Sequence, residues 1–270
     1  YSIGERRNFF ISLNAATYSE TEHKTTGIFG EANISVTDSL MLTVGGRWTK
    51  EEKKIDIGVL GSCELDFSSC TNNASNEKDW SDFSPKVAAT YHFSDDTMAY
   101  ASWTRGFASG VFNARAATLD AVGPTDPESV DSFEVGFKTS FLGGRGLLNV
   151  AYFMADYEDL ILFVNNPCDD CGASLINFNA GEAEISGFEA EMQFQVTDSL
   201  RLDGSIGTVD PEFTNIKYFD ANADGVVDGK DNQLASSWDF QKVAELSYSL
   251  AATYDLQIRG GASMLARVAY

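Results

Sequence analysis

Between Asp220 and Asp231 the chain reads Asp-Ala-Asn-Ala-Asp-Gly-Val-Val-Asp-Gly-Lys-Asp, a stretch whose side-chain oxygens could hold a hard divalent cation. Asp220, Asn222, Asp224, Asp228 and Asp231 take the first, third, fifth, ninth and twelfth places. Gly225 stands sixth, where a calcium loop must turn sharply, and Val227 supplies the aliphatic eighth residue. The twelfth residue is Asp where the usual loop has Glu, and no helical pattern flanks the motif. A solvated acidic turn has the same composition. Both readings stand: calcium ordering an exposed loop, or a turn that binds no cation.

The four cysteines form two close pairs, Cys63/Cys70 and Cys168/Cys171, in stretches rich in Asp, Asn, Ser and Gly. An even count in loop-like sequence points to disulfides in an oxidising compartment. A four-cysteine zinc site is the rival, poorly served by the spacing of the first pair. Redox chemistry at Cys168/Cys171 is opposed by Asp169 and Asp170, because neighbouring acids raise thiol pKa values. His23 and His92 are the only histidines, and no recognisable carboxylate or cysteine constellation accompanies them. There is no Gly-rich phosphate loop, no G-x-S-x-G and no H-E-x-x-H. With no nucleophile and base to nominate, an enzyme is not expected. No cofactor is required, and calcium at 220–231 is the one candidate ion.

The elements that carry these residues alternate with period two. Ile28, Gly30, Ala32, Ile34 and Val36 oppose Phe29, Glu31, Asn33 and Ser35; Leu40, Leu42, Val44, Gly46 and Trp48 oppose Thr43, Arg47 and Thr49. Phe188 to Val196 and Leu200 to Ile206 repeat the pattern, with Glu189, Glu191, Gln193, Gln195, Arg201 and Asp203 on the other side. Such alternation predicts strands with one apolar and one polar face. Roughly ten follow, near 22–36, 39–53, 80–94, 97–110, 129–141, 145–164, 178–196, 199–213, 240–254 and 257–270. Connections alternate between short ones, such as 36–39, 94–97, 142–145, 196–199 and 254–256, and long ones near 54–79, 111–128, 165–177 and 214–239.

An antiparallel meander with short turns at one end and long loops at the other is the layout of an outer-membrane barrel. Its polar face also carries Glu134, Lys138 and Asn149, which a dry core would bury at several kcal/mol each without partners. A wide aqueous lumen accommodates them. A soluble all-β protein would need a second sheet to cover the apolar face, and no separate group of strands supplies one. No run of eighteen apolar residues exists, so no helix spans a membrane; barrel strands need only about 9–11 residues. The net charge of −21 excludes a nucleic-acid partner. Trp48, Trp80, Trp103 and Trp238 near the long-loop ends, with Tyr91, Phe93, Phe141 and Tyr254 near the short turns, are expected to form two interfacial girdles. Arg105 is expected to pair with lumenal acids.

Several ordered motifs resemble the barrel region of TonB-dependent receptors. Phe83-Ser84-Pro85-Lys86 leads through a turn to Tyr100-Ala101-Ser102 and Arg105-Gly106-Phe107, similar to the family's S-P-K, Y-A-S and R-G-F. Pro127-Glu128 with Glu134-Val135-Gly136-Phe137-Lys138 resembles P-E-x-x-x-x-x-E-x-G-x-K, and Asn149 to Asp159 resembles N-x-A-x-F-x-x-x-Y-x-D. Asn179-Ala180-Gly181-Glu182-Ala183 and Gly187-Phe188-Glu189-Ala190-Glu191 resemble N-A-G-x-A and G-x-E-x-E.

The resemblance implies an all-β antiparallel transmembrane barrel of 22 strands around an N-terminal plug. It implies import of a scarce ligand (siderophore-bound iron, haem, cobalamin or an oligosaccharide) driven by the TonB complex. Its further partners would be outer-membrane lipid and lipopolysaccharide, with the long loops extracellular. No plug, coupling segment or signal sequence is recognisable, so residues 1–270 are expected to be a partial barrel domain, an internal piece of a longer receptor. The alternatives are a passive ten-stranded porin-like barrel and a soluble β-protein binding carbohydrate or calcium.

Overall fold

The computed structural model describes residues 2–12, 15–58, 71–116, 118–168, 172–216, 240, 243–258 and 262–270. Cys63, Cys70 and Cys171, Trp238 and the whole candidate calcium loop 220–231 lie outside the described residues. Cys168 is described only as the last backbone position of its strand, opposite Gly172.

The strands are β1 (Ser2–Ser12), β2 (Ala15–Ser35), β3 (Leu40–Gly58), β4 (Asn73–Ser94), β5 (Thr97–Ala108), β6 (Glu128–Phe141), β7 (Gly146–Cys168), β8 (Gly172–Gln195), β9 (Leu200–Ile216), β10 (Leu246–Ile258) and β11 (Ala262–Ala269). They form one eleven-stranded sheet in which sequence neighbours pair antiparallel throughout, from β1 at one edge to β11 at the other. The two edges do not meet, so the sheet is an open wall among the described residues.

Register explains why the alternation matters. Ile28 faces Trp48, Ala32 faces Val44 and Ile34 faces Leu42 across β2–β3. Val44 then faces Val87, Val87 faces Trp103, and Trp103 faces Phe133 across the next three pairings. Further on, Val135 meets Tyr152, Tyr152 meets Phe188, and Ile206 meets Tyr248. These pairings join apolar to apolar, so one face of the wall is hydrocarbon between the two aromatic levels. Ile28 is 69% exposed on it and Leu250 62%. A soluble monomer rarely exposes a contiguous apolar patch beyond a few hundred Å². A lipid solvent removes that penalty, because backbone groups are satisfied within the sheet.

The short turns are built by local chemistry. Val-Thr-Asp-Ser-Leu occurs twice, at 36–40 and 196–200, and folds alike both times. The Thr37 hydroxyl accepts the Ser39 and Leu40 N–H groups at 3.2 and 3.0 Å; Thr197 does the same for Ser199 and Leu200 at 3.3 and 3.0 Å. At the β6–β7 turn three successive residues, Leu142, Gly143 and Gly144, have φ of 54°, 67° and 82°, a left-handed run that the two glycines make affordable.

The structure extends the sequence reading at four places. β1 was not foreseen: adjacent Arg6-Arg7 and Phe9-Phe10 interrupt its alternation, yet it pairs with β2 over its whole length. β7 and β8 run on to Cys168 and from Gly172, so most of the expected loop 165–177 is hairpin. β3 and β4 likewise lengthen into the expected loop 54–79. Finally, β10 passes straight through the expected turn at 254–256, where Leu256 pairs with Met264. β7, at 23 residues, and β8, at 24, are about twice what a bilayer requires, and the excess projects from the long-connection end.

Candidate functional site: the inner wall and its mouth

The polar face opposite the hydrocarbon carries Glu31, Arg47, Glu134, Lys138, Glu189, Glu191, Arg201 and Asp203, as expected from the sequence, and polar pairs between and within strands wire it. Lys86 donates to Glu31 at 2.8 Å and Thr43 to Asn33 at 2.7 Å. The Tyr100 hydroxyl donates to Glu134, and Lys138 stands 5.5 Å from the centre of the Tyr100 ring. Asp203 accepts from Arg201 at 3.1 Å and lies 3.5 Å from Arg267. His92, opposite Met98, belongs to the same face near a short turn. A water-filled interior is the environment in which such a half-exposed network is stable.

Aromatic residues frame the apolar face at two levels, as expected for Trp48, Trp103, Tyr91, Phe93, Phe141 and Tyr254. Tyr91 packs edge-on to Phe93 at 5.0 Å, and Phe141 stacks on Phe194 at 6.2 Å. Trp80 departs from the expectation. It has the opposite parity to Phe83 and Val87, so it points inward, is 7% exposed, and meets Phe112 edge-on at 6.3 Å. Arg105 departs too. It shares the parity of Trp103 and so projects from the outer face, where it pairs with Asp131 at 3.0 Å and Glu158 at 3.6 Å instead of with lumenal acids.

Beyond the outer aromatic level the two faces of β3 diverge. Its outer face carries an ion-pair ladder: Lys50 to Glu52 at 2.8 Å and to Asp79 at 3.6 Å, and Lys54 to Asp56 at 3.1 Å. The inner face carries Glu51, Lys53, Ile55 and Ile57, and there the β5–β6 connection folds against it. Ser109 donates its hydroxyl to Glu51 Oε2, which also lies 3.2 Å from His23 Nε2. Lys53 donates to the Gly110 carbonyl at 2.9 Å and stands 3.6 Å from Glu51. Burial alone would raise the Glu51 carboxyl, but the Ser109 hydroxyl, the Lys53 charge and His23 together outweigh it and hold the group below the ordinary carboxylate value. Burial pulls the Lys53 ammonium below the ordinary lysine value, against the pull of Glu51.

This constellation was not legible in the sequence. Residues 23, 51, 53 and 109 sit on two strands and a loop, with no short motif joining them. The one available signal was parity, which places His23, Glu51 and Lys53 on the polar face. Among the described residues no group of three or more His, Cys, Asp or Glu side chains is arranged to hold a metal ion.

A one-sheet, up-and-down wall with a hydrocarbon exterior and an ion-paired interior defines the class as a membrane β-barrel. The family model for the TonB-dependent receptor-like β-barrel matches residues 3–270, and the chain belongs to that family, a family of transport receptors of the bacterial outer membrane. Among curated relatives, the ferric-pyoverdine 358 receptor of Pseudomonas putida is 23% identical over 175 residues, 64% of this chain and 20% of that protein. The probable TonB-dependent siderophore receptor PiuA of Acinetobacter baumannii is 22% identical over 214 residues, 77% of this chain and 27% of that protein. The chain thus spans about a fifth to a quarter of these relatives. Among solved structures, the ferric yersiniabactin uptake receptor FyuA of Yersinia pestis superposes with a TM-score of 0.74 at 15% identity, over 99% of this chain and 37% of that one. At that identity the match speaks for the fold.

Proposed function

We propose that this chain is a sector of the conduit of a receptor that imports a metal-loaded siderophore across the outer membrane. The observation that carries the reading is the union of a family match over nearly the whole chain with a two-faced wall whose interior is polar and ion-paired. The ligand class is supported by the relatives, which are receptors for ferric pyoverdine and for siderophores by name. Import would draw on the TonB complex through a segment of the receptor outside this chain. The long-connection end faces the medium in this reading. Trp48 and Trp103 then mark the outer interface, and Lys50 and Arg105, just beyond it on the outer face, lie at the height of lipopolysaccharide phosphates.

The test is uptake of radio-iron by cells whose only siderophore receptor is the full-length protein. We expect uptake of one class of ferric siderophore, abolished when the TonB complex is deleted. Unchanged iron accumulation with and without the receptor, across catecholate, hydroxamate and mixed siderophores, would rule the reading out.

A further inference from the structure

The connection leaving β5 does not stand away from the sheet. Its described parts, 109–116 and 118–127, fold back over the inner face of β3 and β4, two strands that it does not join. Ile55 and Ile57, both fully buried, pack there with Ala116 and Val122, and Ala74, Phe112, Ala114 and Ala121 close round them. These residues are the one buried apolar cluster of the described wall, and it lies at the mouth.

Polar contacts fix the segment at both ends. At its start, Ser109 and Gly110 are held by Glu51 and Lys53. At its end, Asp126 and Asn179 of β8 exchange two hydrogen bonds, from the Asp126 N–H at 2.8 Å and from Asn179 Nδ2 to the Asp126 carbonyl at 3.0 Å. Between them the two arms are laced together. The Val111 N–H donates to the Thr125 hydroxyl at 2.9 Å, the Thr125 N–H to the Val111 carbonyl at 3.0 Å, and the Asn113 N–H to the Val122 carbonyl at 2.8 Å. Gly110 has no room for a side chain: a Cβ would stand 2.0 Å from the Thr125 carbonyl oxygen and 2.8 Å from the Trp80 ring.

We propose that this segment is a strap laid across the mouth of the conduit, clasped to β3 by Glu51 and Lys53, and that it sets the aperture through which a ligand enters. The proposal rests on the conduit reading above and adds a fixed constriction to it. The two ties lie on β3 and β8, with four strands of the wall between them. The strap covers Ile55, Ile57 and Ala74 at the upper end of the β3–β4 inner face, so an incoming ligand meets the strap's own exposed residues there, such as Leu119 and Asp120.

Cysteine accessibility in the full-length receptor, in intact outer membranes, tests it. Val122→Cys is placed at a fully buried position and Leu119→Cys at an exposed one on the same strap. With a membrane-impermeant maleimide, Val122→Cys should react at least tenfold more slowly than Leu119→Cys. Adding Glu51→Gln with Lys53→Met should bring the two rates within about twofold, while the barrel keeps its heat-modifiable mobility. Gly110→Ala, which crowds Thr125 and Trp80, should do the same and serves as the second variant if the double substitution fails to assemble. Val122→Cys reacting as fast as Leu119→Cys in the unmodified receptor would overturn the strap. Continued protection of Val122→Cys in both opened variants would overturn the clasp. Labelling does not depend on transport, so a protected Val122→Cys in a receptor that imports no siderophore would fail the conduit reading alone.

Discussion

Arg105 meets Asp131 at 3.0 Å on the outer surface of the sheet, and the other oxygen of the same carboxylate accepts the Trp103 indole N–H, also at 3.0 Å. One acid therefore orients both an interfacial tryptophan and the cation beyond it. Both partners are partly exposed, and Arg105 keeps Ser129 at 3.0 Å as a second acceptor. Asp131→Ala should cost only about 1 kcal/mol on these grounds. Urea titration of the refolded barrel, followed by Trp fluorescence, measures it. A loss above about 3 kcal/mol would mean that the carboxylate is more deeply engaged than this geometry allows.

Tyr100 lies flat over Gly136, its partner across β5–β6, so that a Cβ at 136 would stand 2.3 Å from the ring. Gly136→Ala must displace the ring and with it the hydrogen bond to Glu134. We expect a loss of about 1–3 kcal/mol, the usual range for overpacking. Combining it with Tyr100→Ser, which vacates the space, should recover part of that loss. Strict additivity of the two changes in the same unfolding assay would contradict the contact.

The mouth clasp should respond to acid and not to alkali. The Glu51 carboxyl is depressed, so its contribution is complete above the ordinary carboxylate range and disappears as pH falls through the depressed value. The titratable groups beside it are His23 from β2, at 3.2 Å, and Lys53 on β3, at 3.6 Å; Lys78, on the inner face of β4, lies 3.8 Å from Asp126 of the strap. Lys53 is depressed as well, which makes stability rise with pH through its titration and leaves no alkaline release. Amide exchange of 109–116 is the readout: faster exchange in acid than the intrinsic rate predicts, with no such change at high pH. Equal acid sensitivity in Glu51→Gln would remove Glu51 as the cause.

Facing predicts an asymmetry between two arginine substitutions at similar height. Val135 lies on the hydrocarbon face, opposite Tyr152, whereas Asn149 lies on the polar face, opposite Lys138. Val135→Arg should cost about 2–4 kcal/mol near the membrane midplane. Asn149→Arg should be tolerated, with Glu191 directly across β7–β8 to receive it. Folded yield in the outer-membrane fraction separates the two, and equal yields would contradict the assignment of faces.

Much of this architecture can be read from residue order. The alternation of Ile28 to Val36 and of Leu40 to Trp48 set the faces of β2 and β3, because side chains in a strand alternate with period two and a one-residue slip would expose every apolar group to the wrong solvent. The Val-Thr-Asp-Ser-Leu turns announced themselves because their hydrogen bonds stay within four residues. β1 did not, since the pairing of Arg6-Arg7 and Phe9-Phe10 hides its period. Its place is decided by the edge of β2 that it satisfies.

The sequence by itself therefore determined the class of wall: antiparallel, apolar without, polar within. Those are local consequences of strand geometry and of which face each residue must take. Only the tertiary structure decided that Trp80 meets Phe112, that Arg105 finds Asp131 and Glu158, and that Ser109 reaches Glu51 across 58 residues of chain. Contacts of that range depend on how far each strand extends beyond the girdle and where the β5–β6 connection lands. Neither quantity is encoded in the period of any one segment, so the clasp appears only once the strands are laid side by side.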